Sequence, residues 1–491
     1  MVAWPSCRWD RAVSERISVP ARDPASAGRL HRGSGPTLAV IATCQLMLVV
    51  DATILTIALP RIQSTLHLSV SSLSWVVNSY TLTFGGLLLL GGRAGDIRGR
   101  RQVFIGGVLL FTVASLAGGL ATSGAWLVAA RAAQGVGGAM ASPAALALIA
   151  TNFAEGPPRN RALGVYASVS GVAMALGLVL GGMLTDWASW RWVLFINVPL
   201  GIAVALLAPV VLEESQRQPG RFDLGGAVSS TTGVAALVYG FVRASSAGWS
   251  DPLTLAAFAA GAVLLSVFAV VETRAQQPIA PLHLIMNRRR AAAFGIRFLL
   301  TAAMSGMMFM LTLFVQDIMG FSPLLTGFAF LPTTVAVVAA SRIAPRLLAQ
   351  ASLRPLMVSG AALTTAGMVW LRQISPSTGY LAGILGPVLL FGLGVGLLFV
   401  AVTYAAMAGV QAQESGAASG LLNSMQQVGG SLGVAAMVTV AGAGAVAGAH
   451  LHRAALVSGI DDAFALGVFF TVCVLLLALV PPSAGAQALR R

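Results

Sequence analysis

From Thr37 onward the chain alternates long apolar runs with short polar breaks, and the runs lack the polar stripe of a soluble amphipathic helix. A helix crossing a bilayer core needs about 20 mostly apolar residues. That measure predicts fourteen transmembrane helices, at 37–60, 73–92, 102–121, 125–150, 162–184, 192–212, 224–243, 252–272, 291–315, 324–348, 353–371, 379–408, 416–442 and 463–481. Residues 1–36 are rich in Arg, Ser and Pro and have no apolar stretch, which predicts a disordered tail and no cleavable signal. The class is an all-α, multi-pass membrane protein with almost no soluble domain.

Composition agrees: 57% of residues are hydrophobic and 9% charged, against roughly 25% charged in soluble domains. The net charge of +14 comes entirely from Arg, for there is no Lys. In a soluble protein such a charge suggests nucleic acid, but here the arginines fall in short loops, where they set topology and meet anionic lipid. If the N-terminus is cytoplasmic, 23 arginines lie inside and 5 outside, which places both termini in the cytoplasm. Without Lys there is neither a Walker A nucleotide loop nor Schiff-base chemistry. The cysteines (Cys7, Cys44, Cys473) are scattered, and the five histidines (His31, His67, His283, His450, His452) fall in tails or loops. No disulfide framework, metal site or cofactor is expected. Kinks are expected at Pro143, Pro332 and Pro387, which lie well inside spans.

Three departures from uniform apolarity carry the chemistry. The break after span 2 reads Gly92-Arg-Ala-Gly-Asp96-Ile-Arg-Gly99-Arg100-Arg101, an acid among four arginines in a glycine-punctuated turn. Span 4 holds Arg131-Ala-Ala-Gln134-Gly-Val-Gly-Gly, and an arginine inside a span costs at least ~2.5 kcal/mol unless it is paired or wetted. Asp51, in Leu46-Met-Leu-Val-Val-Asp51-Ala-Thr, is the single carboxylate well inside any span. It lies ~13 Å from the outer end of span 1 and Arg131 ~9 Å from that of span 4, so long side chains can meet, with Gln134 closer still to the depth of Asp51.

These segments resemble the signature loop, the fourth-helix motif and the first-helix motif of the major facilitator superfamily, in its fourteen-helix drug–proton antiporter branch. Ile97 stands where a basic residue is common. Span 5 carries Gly171, Gly177, Gly181 and Gly182, similar to the antiporter motif of drug exporters, with Leu178 in place of the usual proline. Close helix packing accounts for those glycines equally well. Further likeness lies in Ser189-Trp-Arg-Trp192, Phe195-Ile-Asn197-Val-Pro199, Gln316-Asp317 and Gln426-Gln427-Val-Gly429-Gly430.

The resemblance implies two pseudo-symmetric bundles: a six-helix N-terminal one (37–212) and a six-helix C-terminal one (291–481). Two inserted helices and a cytoplasmic linker (213–290) would separate them, with short cytoplasmic tails at 1–36 and 482–491. It implies proton coupling through Asp51, Arg131 and Gln134, with a permanent structural ion pair as the competing reading of Asp51 and Arg131. Gly92, Asp96, Gly99, Arg100 and Arg101 would form a conformational latch, Asp96 docking at the start of span 13 near Ser415. Tyr80, Asn197, Gln316, Asn423, Gln426 and Gln427 are candidate cavity residues, though span 13's amides could equally bond between helices. Met304, Met307, Met308 and Met310 would form an adaptable wall or pack inside the bundle.

The function implied is proton-coupled export of small amphipathic or lipophilic compounds by a monomer in a bacterial plasma membrane. Alternatives are dedicated export of a self-made secondary metabolite, or uptake by symport. The partners are substrate, protons and lipid, with no nucleic acid. A membrane-embedded transferase would need an interfacial His, Asp or Glu cluster, which the sequence lacks.

Overall fold

The computed structural model describes residues 34–154, 156–215, 224–274, 286–350, 352–410, 415–443 and 452–479. The expected tails lie outside these, except that residues 34–36 already belong to the first helix. A helix stands at each predicted span. They are α1 (Ser34–Leu66), α2 (Val70–Arg98), α3 (Arg100–Gly119), α4 (Gly124–Asn152), α5 (Pro157–Trp187), α6 (Trp192–Val211, broken at Ile196) and α7 (Leu224–Ala247). The remainder are α8 (Pro252–Arg274), α9 (Arg288–Ile318), α10 (Pro323–Gln350), α11 (Leu353–Leu371), α12 (Tyr380–Met407), α13 (Ser415–Ala443) and α14 (His452–Leu479). Among the described residues ten are long and apolar enough to cross a bilayer, and α2, bent by 49° between Val70–Leu88 and Leu90–Arg98, makes an eleventh. The more polar α7, α11 and α13 do not reach that standard.

Several helices outrun the expected apolar spans, because a helix already nucleated continues into water at little cost. The segment expected as a loop from Gly92 is helical through Arg98, leaving Gly99 as the turn. Its φ of +111° requires glycine. α14 begins at His452 rather than 463, and its Asp461 meets Arg372 at 3.3 Å beyond the end of α11. The 49° bend in α2 lies close to Gly91 and Gly92. Pro387 follows a π turn at Tyr380–Leu385, where a missing N–H breaks no regular helical bond.

In the N-terminal half α4 packs between α2 and α3, and α1 lies against α5 and α6. In the C-terminal half α9 packs on α13 and α14, and α12 on α10 and α11. The halves meet along α2 with α13 and α5 with α10. At the end away from the N-terminus, here the far end, the Leu324 N–H donates to Asp186 at 3.2 Å and Gln316 Nε2 to the Ile57 carbonyl at 2.9 Å. Midway, Ser424 Oγ donates to the Gly85 carbonyl at 3.1 Å, and Ser431 pairs with Thr81.

α7 lies along the α2–α13 seam. Val234, Val238 and Val242 are buried with Leu82 of α2 and Ala435 of α13. α7 thus covers the line where the halves meet. Its far-end turn is fastened by Arg243 Nε to Asp251 at 2.6 Å, while Asp251 also caps α8 through the Thr254 N–H at 2.9 Å. The Arg243 hydrogen bond holds the Asp251 carboxyl down at about 2, from an ordinary 3.8. A depressed carboxyl contributes stability that is present above the unfolded value and lost only as pH falls through the folded one. Amide exchange over residues 248–254, corrected for intrinsic rate, should therefore be equally slow at about pH 7 and about pH 5. Faster exchange at the lower pH would contradict the pairing.

Candidate functional site

The three residues whose depths match along α1 and α4 are in contact. Arg131 Nη1 donates to Asp51 Oδ2 at 2.6 Å and to Gln134 Oε1 at 2.8 Å, and both charged side chains are essentially fully buried. Gln134 Nε2 donates to Asp51 Oδ1 at 3.1 Å and to Ser115 Oγ of α3 at 2.7 Å. Asn197, at the break in α6, donates to the same Oδ1 at 2.8 Å. Arg131 Nε reaches the Val76 carbonyl at 3.2 Å, and its guanidinium lies 4.3 Å over the Tyr80 ring. The carboxylate thus accepts three hydrogen bonds, one charge-assisted, from two other helices. A buried ion pair survives desolvation only when its remaining polar groups are satisfied in this way.

Glycines bring the helices close enough for this. A Cβ at Gly137 would stand 2.6 Å from the Phe111 nitrogen of α3, and one at Gly138 would stand 2.8 Å from the Phe84 ring of α2. Thr83 Oγ1 also bonds the Ala132 carbonyl at 2.9 Å. With α4 wedged between α2 and α3, Arg131 reaches the α2 backbone and Asp51 together.

At the near end, Gly99 lets α3 start directly beneath α2. Glu214, following α6, accepts from the Arg101 N–H at 3.0 Å, and Ser215 Oγ accepts from the Arg100 N–H at 3.2 Å. A carboxylate there also meets the positive end of α3. Arg101 Nη1 bonds the Leu212 carbonyl at 3.0 Å, and Arg100 Nη1 that of Ala147 at 3.3 Å. Asp96 pairs with Arg100 at 3.1 Å across the Gly99 turn. Arg100 opens α3 just past the Gly99 turn, so both partners of this pair belong to the N-terminal half. Gly92 lies against Pro143 of α4.

The sequence model of the Major Facilitator Superfamily matches residues 41–434. The chain belongs to this superfamily. It is 42% identical over 451 residues to the puromycin resistance protein pur8 of Streptomyces alboniger, covering 90% of this chain and 89% of that one. It is 40% identical over 470 residues to the cephamycin export protein CmcT of Amycolatopsis lactamdurans, covering 94% and 96%. In fold it is similar to an inward-facing bacterial homologue of the human lysosomal transporter Spinster, with a TM-score of 0.64, 15% identity, and 91% and 96% of the two chains covered. The superfamily points to transport rather than catalysis.

The other expected residues divide by position in this superfamily member. Gly177 and Gly181 of α5 pack on α1, the latter's Cβ position 2.7 Å from the Ile54 carbonyl, whereas Gly182 abuts Pro323 and Leu324 of α10. Gly171 has room, its Cβ position 3.6 Å from Val338. α5 runs through Leu178, whose carbonyl touches the Gly327 position of α10. Of the candidate cavity residues, Tyr80 and Asn197 contact the Asp51–Arg131 cluster, and Gln316 joins α9 to α1. Gln426 and Gln427 are half-buried and Asn423 is exposed. Met307 and Met310 are buried in the core, while Met304 and Met308 pack at its edge. Cys44 and Cys473 are free thiols, and no metal-binding cluster occurs among the described residues. Sequence reading missed Ser115, Asp186 and Glu214; a lone polar residue in or at the end of an apolar run was their signal.

Proposed function

We propose that the protein exports small amphipathic compounds, antibiotics among them, by alternating access, driven by protons entering the cell. The observation that carries this reading is the buried Asp51–Arg131–Gln134 cluster, together with relatives named for antibiotic resistance and export. A buried carboxylate held by side chains from other helices can take up a proton in one conformation and release it in another as those helices move. One proton moving through 100 mV supplies ~2.3 kcal/mol, a usable driving force where no nucleotide site exists.

In this reading the near face is cytoplasmic, as the arginine bias argues, and the six-plus-two-plus-six division describes two moving bundles with α7 and α8 between them. The far end, closed by Asp186, Gln316 and Gly182, is then the outward gate. Dye efflux from loaded cells should stop when a protonophore is added, and efflux indifferent to the protonophore would refute proton coupling.

Asp96 holds the near-end turn in the far-closed state and is the candidate latch for the opposite state. Asp96→Asn should lower transport severalfold, with a thermal-stability cost of at most about 1 kcal/mol for losing a half-exposed i,i+4 pair. A transport loss no larger than the fall in folded protein would reduce Asp96 to an ordinary surface pair.

A further inference from the structure

The C-terminal half contains a second buried cation, and no acid pairs with it among the described residues. Arg297 of α9 is 7% exposed. Its Nη2 donates to Thr403 Oγ1 of α12 at 3.2 Å, and its guanidinium carbon lies 4.3 Å over the Phe399 ring. Nε and Nη1 are buried and have no partner, and no carboxylate pairs with Arg297 among the described residues. Arg131 makes three hydrogen bonds, one of them its ion pair, besides its ring contact, whereas Arg297 makes one hydrogen bond and one ring contact. A guanidinium does not shed its proton to escape burial, and a cation–π contact recovers only ~0.5–2 kcal/mol of the desolvation cost. The vacant donors are therefore a standing demand for an anion.

We propose that Arg297 anchors an anion subsite in the C-terminal half, which takes the carboxylate of an amphipathic cargo molecule. Thr403 is exposed, so the bound end of the guanidinium is one hydroxyl from accessible surface. A single fork-shaped cation beside one hydroxyl suits a monoanion, and the unpaired Nε and Nη1 are available for a carboxylate's oxygens. Met304 and Met308 follow Arg297 by seven and eleven residues, on the same side of α9, and give an adaptable apolar surface for the rest of the molecule. Gly429 of α13 packs on Phe298, which sets the half-buried Gln427 at about the depth of Arg297. The assignment of the anion to cargo rests on the export reading; the subsite itself does not.

The test uses dansylglycine and its neutral amide, titrated by fluorescence into purified full-length protein in detergent without added phospholipid. Wild type should bind the carboxylate about tenfold or more tightly than the amide, and Arg297→Gln should abolish that preference while leaving amide binding unchanged. Should Arg297→Gln not fold, Thr403→Val, which alters an exposed hydroxyl, should weaken the carboxylate severalfold and not the amide. Equal weakening of both probes, or of neither, overturns the subsite. Adding phosphatidylglycerol or phosphatidylcholine separates the sources. Displacement of dansylglycine by phosphatidylglycerol alone would assign the site to a lipid headgroup and overturn the cargo assignment. Because the readout is binding, selective carboxylate binding by a protein that shows no efflux would sink the export reading and leave the subsite standing.

Discussion

Asp51→Asn protein in proteoliposomes should lose uphill accumulation driven by a pH gradient completely, while still exchanging cargo across the membrane when both sides hold it. The amide cannot carry the proton, so the ~2.3 kcal/mol per 100 mV available from each proton no longer reaches the cargo. At 1.4 kcal/mol per factor of ten, that is about a fiftyfold concentration ratio falling to one. The substitution also has a structural cost. Gln134 and Asn197 both donate to Asp51 Oδ1, and Arg131 to Oδ2. An amide presents one acceptor and one donor, so one side meets hydrogen-bond donors head on. Removing one partner of a buried pair typically costs 3–5 kcal/mol, roughly, because the other charge is left uncompensated. A lower melting temperature is thus expected alongside the transport defect. Exchange measured on the folded fraction separates the two effects. Uphill accumulation by the folded variant would rule out Asp51 as the proton carrier and leave the pair as a structural one.

Gly182→Leu should hold the far end open and stop transport without unfolding either half. A Cβ at Gly182 would lie 2.6 Å from the Pro323 carbonyl and 2.8 Å from the Leu324 nitrogen, both backbone atoms that cannot swing aside. Overpacking of this kind costs about 1–3 kcal/mol, and here the cost falls only on the state in which α5 and α10 touch. A 1–3 kcal/mol bias changes the ratio of the two states by about 5- to 150-fold. In a cysteine-free background, Gln316→Cys should then react faster with a membrane-impermeant thiol reagent applied from the far side, since Gln316 closes on Ile57 in the packed state. Gly171→Ala is the control: its Cβ meets Val338 at an ordinary 3.6 Å, so transport and labelling should stay near wild type. Unchanged labelling in Gly182→Leu would show that the α5–α10 contact is not the moving gate.

Depth was legible in the sequence and direction was not. The lengths of the apolar runs locate each crossing, and a rise of 1.5 Å per residue puts Asp51, Arg131 and Gln134 at one level. The cost of a buried charge then demands that they meet, and they do. The same reasoning cannot say that the neighbours of Arg297 are Thr403 and Phe399. Nor does it place Asn197 and Ser115 on the cluster, lay α7 over the α2–α13 seam, or pair Asp96 with Arg100.

The sequence by itself therefore determined the all-helical membrane class, the depth of the buried charges and the glycine-marked near-end turn. Only the tertiary structure decided which faces meet. In a soluble protein a polar stripe on each helix announces its outward side, but lipid is as apolar as the helix interior. Helices apolar all round carry no such stripe, and their rotation and neighbours are settled by the fit of small residues and a few hydrogen bonds.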